Sequence, residues 1–256
     1  MTEKWRLLDT GLHNAFYNMA LDEAIALARS RSLVPNTLRF FRWDPSAVSI
    51  GYFQSMEEEV DIQACKQRDI DYVRRRTGGG AVYHDRDGEL TYSLLIGRDH
   101  RLISDDFQET YGTLCSGLTS GLKRLGIPAE FKPINDIIVA GKKISGNAQT
   151  RSMNVVHQHG TILREVDPTL MFTLLKVPNE KIRDKLIRSA EERVTSTNRY
   201  LRREVAFEEL KEAFITGFED AFNIELVPGE ILEFEEKLSA QLKVEKYATR
   251  GWNFKR

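Results

Sequence analysis

The segment spanning residues 71–93 constrains the fold more than any other part of the chain. Residues of high β propensity at its two ends predict strands at 71–77 and 89–95. Three arginines and three glycines fill the middle of the segment, at Arg74, Arg75, Arg76, Gly78, Gly79 and Gly80. Because glycine tolerates positive φ, the backbone here can turn sharply and surround an anion with its N–H groups. The segment therefore predicts a glycine hairpin, which either binds an anion or is a loose, charged loop.

The order of the predicted elements indicates an α+β fold with a mixed, largely antiparallel sheet flanked by helices. Strands dominate the first two-thirds of the chain, with helices between them, and the part from about 165 to 256 is predominantly helical. Helices are predicted at 55–67, where Ser55 begins a capping box, and at 103–125, which carries an apolar stripe. A further strand is predicted at 130–139.

The composition excludes several classes of protein. Hydrophobic residues make up 41% of the chain and charged residues 29%, which is ordinary for a globular protein. The formal net charge of -1 argues against a protein dominated by nucleic-acid binding. No apolar run is long enough for a membrane span, and Cys65 and Cys115 lie too far apart for a Cys-x-x-Cys site. We therefore expect a soluble, cytoplasmic protein with no nucleic-acid partner, in which both cysteines are buried structural residues.

A second informative segment follows a predicted tight turn at residues 140–141. Small residues flank Lys143, which suits a cation that must lie against a ligand and neutralise phosphate or carboxylate oxygens. Strand alternation places Lys143, Ser145 and Asn147 on one face and directs Lys142 to the other. The alternative is that both lysines are solvated charges at the tip of a hairpin.

Several polar residues near these segments could contact a ligand. Asp136 could hold Mg²⁺ as an oxygen ligand and Asn135 could orient a base or a ribose. Each could equally be a polar residue of a turn or a strand edge without a ligand. His84 and His159 could donate hydrogen bonds to a phosphate or a carbonyl, or could be structural. His157 and His159 do not have the spacing of a zinc site with the two cysteines, so zinc binding is not predicted there.

Four motifs in a fixed order identify a resemblance. They are RRTGGGAVYHD at 75–85, NDI at 135–137, GKKISGNA at 141–148 and QHGTIL at 158–163, preceded by FRWDP at 41–45. Together they resemble the catalytic domain of lipoate–protein ligase A, a family grouped with the biotin protein ligases and the octanoyl transferases. The resemblance runs from about Leu7 to the end of the chain.

The resemblance implies one ligase catalytic domain over residues 1–256. It implies that lipoate attacks the α-phosphate of ATP, with Mg²⁺, to give lipoyl-AMP, from which a lysine of a lipoyl-carrier protein takes the lipoyl group. Lys143 matches the family's catalytic lysine, and Asp136 would hold Mg²⁺. The substrate- and ATP-binding positions that it implies are Arg75, Thr77, Gly78, Gly79, Gly80, Ala81, His84, Asn135, Asp136, Gly146, Ala148, His159 and Gly160.

Two departures from the family keep alternatives open. Cysteine-dependent octanoyl transferases carry a nucleophilic cysteine just before the lysine motif, where this chain has PIND at 133–136. The chain also ends at Arg256, where larger members continue into an accessory domain, so a separate accessory protein either supplies that part or is not needed. The alternatives to a ligase are an octanoyl or lipoyl transferase that works without ATP, and a lipoyl-adenylate-binding protein without turnover.

Overall fold

The computed structural model describes residues 2–177 and 180–255. Its strands are β1 Glu3–His13, β2 Thr37–Trp43, β3 Ala47–Ile50, β4 Asp71–Arg74, β5 Val82–His84, β6 Glu89–Gly97, β7 Glu130–Lys132, β8 Asp136–Val139, β9 Lys142–Ser152, β10 Val155–Leu163 and β11 Ile224–Pro228. Its helices are α1 Ala15–Ser30, α2 Met56–Glu59, α3 Ile62–Gln67, α4 Phe107–Arg124, α5 Pro168–Leu174, α6 Glu180–Arg193, α7 Thr197–Leu201, α8 Phe207–Phe222, α9 Glu233–Leu242 and α10 Arg250–Asn253, with a π-helical turn at Lys243–Tyr247.

The strands form two sheets. The large sheet has eight strands in the order β11-β1-β2-β6-β10-β9-β8-β7, and the small sheet has three in the order β4-β3-β5. In the large sheet β11, β1 and β2 are mutually parallel and the remaining neighbours are antiparallel. This arrangement confirms the predicted α+β fold with a mixed, largely antiparallel sheet. Each helix in the described part of the chain is too short or too polar to span a membrane.

Helices cover both faces of the large sheet. Alternating residues of β6 point to opposite sides: Leu94 packs into the cluster with α4 and α8, whereas Leu95 packs against Leu21 of α1. Helices α4 and α8 approach each other closely because glycines replace side chains where they cross. A Cβ built on Gly217 would lie 2.4 Å from the backbone nitrogen of Gly121. The core therefore depends on glycine at this crossing.

Three of the predicted elements were wrong in detail. The helix predicted at 55–67 is two short helices, α2 and α3, and the Ser55 side chain makes no capping hydrogen bond. The helix predicted at 103–125 begins at Phe107, because the Asp106 carboxylate accepts the first free backbone N–H groups. The strand predicted at 130–139 is interrupted by a turn between β7 and β8.

The predicted glycine hairpin is also wrong. Strand β4 belongs to the small sheet and β6 to the large sheet, and β5 lies between them in the chain and pairs with β3. The glycines therefore do not join two paired strands. They lie in the loop at 75–81 that runs from β4 to β5.

We expect Gly217→Ala to destabilise the fold. The new Cβ would collide with the backbone of α4, which cannot move away as a flexible side chain would, so the free energy of unfolding should fall by about 1–3 kcal/mol. Gly112→Ala is the matched control, since its Cβ would lie 3.7 Å from Phe131, and it should raise that energy by up to about 1 kcal/mol. Urea unfolding measures both. Equal midpoints for the two variants would contradict the close crossing.

Candidate active site

The loop at 75–81 turns back over the end of β3 at a distance that only glycine permits. A Cβ on Gly51 would lie 2.0 Å from the carbonyl oxygen of Gly79, and Gly79 itself has a φ of +91°. The backbone N–H of Tyr52 donates to the carbonyl of Thr77 at 2.8 Å, which fixes the start of the turn. The glycines therefore serve a close contact between two backbone segments.

Arg75 holds this loop from inside. Its Nε donates to Thr77 Oγ1, one terminal nitrogen donates to the carbonyl and Oγ of Ser49, each at 3.1 Å, and the other donates to the carbonyls of Gly78 and Gly80 at 2.7 Å. These bonds use all five N–H donors of the guanidinium. The side chain is buried, and burial lowers the pKa of Arg75 to about 10. Arg75 therefore brings a positive charge to the loop and fixes the positions of its carbonyl groups.

The other two arginines of the motif, Arg74 and Arg76, make hydrogen bonds elsewhere. Arg74 is buried and donates to the backbone carbonyls of Tyr52 and Asn253, which ties α10 to the small sheet. Arg76 donates to Ser152 Oγ at 2.6 Å, at the end of β9. Only Arg75 of the three lines the cavity described next.

A cavity of about 370 Å³ lies between the small sheet and the large sheet. The loop at 75–81 lines one side, β9 and β10 line another, and α5 with α6 covers it. The predicted site residues in its wall are Arg75, Gly79, Gly80, Ala81, His84, Asn135, Lys143, Gly146, Ala148, His159 and Gly160. The structure therefore brings the two sequence motifs together, although about 60 residues separate them in the chain.

Three predicted residues, Thr77, Gly78 and Asp136, are not among the wall residues of the cavity. Thr77 is buried and its Oγ1 is 2.7 Å from His159 Nε2, and the carbonyl of Gly78 accepts from Arg75. Asp136 Oδ1 pairs with Lys143 Nζ at 2.7 Å. These residues support neighbours that line the cavity, and their own roles toward a ligand stay predictions.

A bulge in β9 decides which lysine faces the cavity. The pairing of β8 with β9 shifts between Ile137 and Ile138, so Lys143 lines the cavity, whereas Lys142 Nζ donates to the carbonyl of Glu191 at 3.1 Å. The prediction that Ser145 shares the face of Lys143 was wrong. Ser145 pairs with Ile137 and Lys143 with Ile138, so the extra residue of the bulge places the two on opposite faces of β9. Ser145 is buried, and its hydroxyl has no hydrogen-bond partner among the described residues.

Asp22 of α1 was missed by the sequence reasoning. It is buried and accepts from Arg39 and Ser93, each at 2.7 Å, and its Oδ2 lies 3.3 Å from His157 Nε2. Burial alone would raise the pKa of Asp22, but the charge of Arg39 and the neighbouring imidazole of His157 hold it well below its usual value. No local pattern in the sequence marks Asp22, because its burial and its partners are decided by the fold.

Asp22, His157 and His159 form the one group of three potential metal ligands among the described residues. Arg39 already neutralises the carboxylate, and a metal ion would add further positive charge to this buried site. Asp136, the predicted Mg²⁺ ligand, lies outside this group and is paired with Lys143.

Most of the apolar wall was also missed. Met19, Trp43 and Leu163 come from three elements, α5 and α6 add Met171 and Ala190, and Val194 follows directly after α6. Of these only Trp43 and Leu163 lie in motifs noted from the sequence, FRWDP at 41–45 and QHGTIL at 158–163. No local pattern marks the rest, because residues so far apart in the chain meet only after folding.

Both cysteines are buried, as predicted. Burial raises the pKa of the Cys65 thiol to about 11 and that of Cys115 to about 12. The wall residues of the described cavity include neither of them. A thiol held in its neutral form and outside the cavity is a poor nucleophile.

The chain belongs to the family of the lipoyl protein ligase A/B catalytic domain, whose family model matches residues 14–219. It is 38% identical to octanoyltransferase LipM of Geobacillus kaustophilus and 33% identical to octanoyltransferase LipM of Bacillus subtilis, in each case covering 99% of both chains. In structure it is similar to the bi-partite lipoate protein ligase of Thermoplasma acidophilum (TM-score 0.88, 35% identity, 98% of this chain and 96% of that chain). A lipoate-protein ligase A bound with ATP gives a TM-score of 0.82 at 33% identity, covering 99% of each chain.

These relatives confirm the predicted family and fold, but they contradict the predicted reaction. The curated relatives that match the whole length of the chain are octanoyltransferases, so the expectation of an ATP-dependent, adenylate-forming ligase was wrong. The expectation of ATP and Mg²⁺ as cofactors was wrong with it. The physical difference is that a transferase receives an acyl group already joined to a donor, so no nucleotide is needed to activate it.

The buried His159 should make the fold less stable in acid. Burial lowers the pKa of His159 to about 4 from 6.5. As the pH falls, this histidine is therefore protonated in the unfolded chain at a higher pH than in the folded chain. The free energy of unfolding should therefore decrease from pH 6.5 downward, by up to about 3 kcal/mol at pH 4.

Urea unfolding of the wild type and of His159→Gln at several pH values measures this effect. The variant cannot take up the proton, so its stability should fall less steeply over that range, while the contribution of Asp22 remains in both proteins. Parallel curves for the two proteins would contradict the assignment.

Proposed function

We propose that this protein is an acyltransferase that moves an octanoyl or lipoyl group from a carrier-bound thioester to a lysine of a lipoyl-carrier domain, without ATP. The observation that carries the proposal is the full-length similarity to octanoyltransferases, which covers 99% of this chain at 33–39% identity. One similar structure comes from a lipoylation system that includes an E2 lipoyl domain, which supports a lipoyl domain as the acceptor.

The cavity suits an acyl chain with a polar group at one end. Met19, Trp43 and Leu163 contribute apolar wall that would contact the methylene groups. Lys143 and the loop at 75–81 with its Arg75 guanidinium supply the polar end, where the carbonyl of the acyl group would lie. An aliphatic chain with a reactive carbonyl fits this division better than a wholly polar substrate does.

Lys143 is proposed to polarise the carbonyl oxygen of the acyl group. In the transition state of acyl transfer this oxygen becomes negative, and a fixed cation beside it lowers the barrier. Asp136 holds the ammonium group at 2.7 Å, which limits the positions that Lys143 can take. The side chains of this pair are 39% and 34% exposed, so the lysine can also reach a ligand in the cavity.

The test is transfer in the absence of a nucleotide. The full chain is incubated with an octanoyl-acyl carrier protein and a lipoyl domain, with a chelator and without ATP, and intact mass spectrometry follows the domain. The domain should gain one octanoyl group, and a domain whose acceptor lysine is replaced by arginine should gain none. If the domain is modified only when ATP is added together with free octanoate or free lipoate, the proposal is overturned.

Lys143→Ala should lower the transfer rate by about 100-fold or more, since one electrostatic donor to the reacting oxygen is lost. Lys142→Ala is the matched control, because that lysine bonds to the carbonyl of Glu191 outside the cavity and should keep the rate within about twofold. Circular dichroism checks that both variants fold. A loss of equal size in the two variants would contradict the role given to Lys143.

A further inference from the structure

Three polar side chains in the cavity wall form a hydrogen-bonded row. Ser49 Oγ lies 2.8 Å from His84 Nε2, and His84 Nδ1 lies 2.8 Å from Glu89 Oε1. All three residues line the cavity and all three are buried. A hydroxyl, an imidazole and a carboxylate in this order are the arrangement in which a base activates a nucleophile and an acid orients the base.

The surrounding contacts hold the row in one protonation pattern. Arg75 donates to Ser49 Oγ at 3.1 Å, so the serine hydroxyl hydrogen is left to point toward His84 Nε2. His84 then carries its own hydrogen on Nδ1 and donates it to Glu89, whose Oε1 also accepts from Thr91. The ring of Trp43 stacks on the imidazole at 4.1 Å and prevents it from turning.

The two cysteines and Thr77 fit less well as nucleophiles. Cys65 and Cys115 lie outside the cavity wall, with raised thiol pKa values. Thr77 bonds to His159, but Thr77 is not among the wall residues, and His159 Nδ1 is 3.9 Å from Asp22, too far for a hydrogen bond. The pKa of His159, lowered to about 4 by burial, also makes it a weak base at neutral pH.

We propose that Ser49 is the acyl-accepting nucleophile of this protein, with His84 as its base and Glu89 as the residue that positions His84. The proposal rests on the acyl transfer proposed above and supplies the nucleophile that the missing cysteine leaves open. Arg75 lies 3.1 Å from Ser49 Oγ and stabilises the negative charge that develops on that oxygen.

The reaction balances in two steps. Ser49 Oγ attacks the carbonyl carbon of the octanoyl thioester, a C–O bond forms, the C–S bond breaks, and His84 passes the hydroxyl proton to the leaving sulfur. The neutral amine of the acceptor lysine then attacks the ester, a C–N bond forms and the C–O bond breaks. His84 takes a proton from the amine and returns it to Ser49, so the enzyme is unchanged at the end.

The direct test is the covalent intermediate. The wild-type chain, mixed with octanoyl-acyl carrier protein without an acceptor and quenched in acid, should gain one octanoyl group on the peptide that contains Ser49. Ser49→Ala should lose the adduct and slow transfer by about 1,000-fold or more. Ser239→Ala, a buried serine of α9 that bonds to its own helix, is the control and should retain both.

Two further variants separate catalysis from folding. Ser49→Cys should still form an octanoyl adduct, now a thioester, which neutral hydroxylamine cleaves although it leaves the serine ester intact. If Ser49 were only structural, the substitution would not change the hydroxylamine sensitivity of an adduct. Glu89→Gln should lower kcat for acylation by about 100-fold or more while leaving KM for the donor within about threefold, because Glu89 positions the base and does not contact the donor.

The outcomes distinguish this proposal from the proposed function. Transfer without ATP by a wild-type chain that never carries an adduct on Ser49 would overturn the nucleophile and leave the acyltransferase standing. An octyl fluorophosphonate probes the serine without any carrier protein. Labelling of Ser49 in a chain that performs no transfer would support the nucleophile and overturn the acyltransferase, and failure of both reagents to modify Ser49 would overturn the nucleophile.

Discussion

The buried guanidinium of Arg75 is the interaction on which the site depends. A buried cation is costly unless its donors are satisfied, and here every donor is bonded to the loop or to Ser49. This requirement fixes the loop at 75–81, since its carbonyls must point inward toward the arginine. The contact of Gly79 with Gly51 follows from the same geometry, because the loop can close on Arg75 only if it lies directly against the end of β3.

The second half of the site depends on an irregularity in a strand. The bulge between β8 and β9 sends Lys143 to the cavity and Lys142 to α6, and the ion pair with Asp136 fixes the direction of Lys143. The two halves belong to different sheets, and α5 and α6 close the space between them. A cationic loop, a lysine held by an ion pair and an apolar wall then meet in one cavity, which suits the proposed transfer of an aliphatic acyl group.

The family resemblance described the location of the site better than its chemistry. Ligases and transferases of this family share the need to bind an acyl chain and to stabilise a negative acyl oxygen, so the same glycine loop and lysine are consistent with both. The two classes differ in the acyl substrate: a ligase binds a free acid, whereas a transferase binds an acyl group already joined to a donor. Arg75, one of the substrate- and ATP-binding positions that the resemblance implies, uses its side-chain donors within the chain.

The sequence alone determined the α+β class, the positions of most helices and strands, and the glycine and lysine motifs, because these depend on local periodicity and on residue types whose chemistry is specific. It could not determine that β4 and β6 enter different sheets or that Ser145 turns away from Lys143, since pairing and bulges are decided by partners far along the chain. The same limit explains Ser49 and Asp22, which look like an ordinary strand residue and an ordinary helix residue in the sequence. Only the tertiary structure, by burying Ser49 beside His84 and Asp22 beside His157, gives them a chemical environment that no local pattern contains.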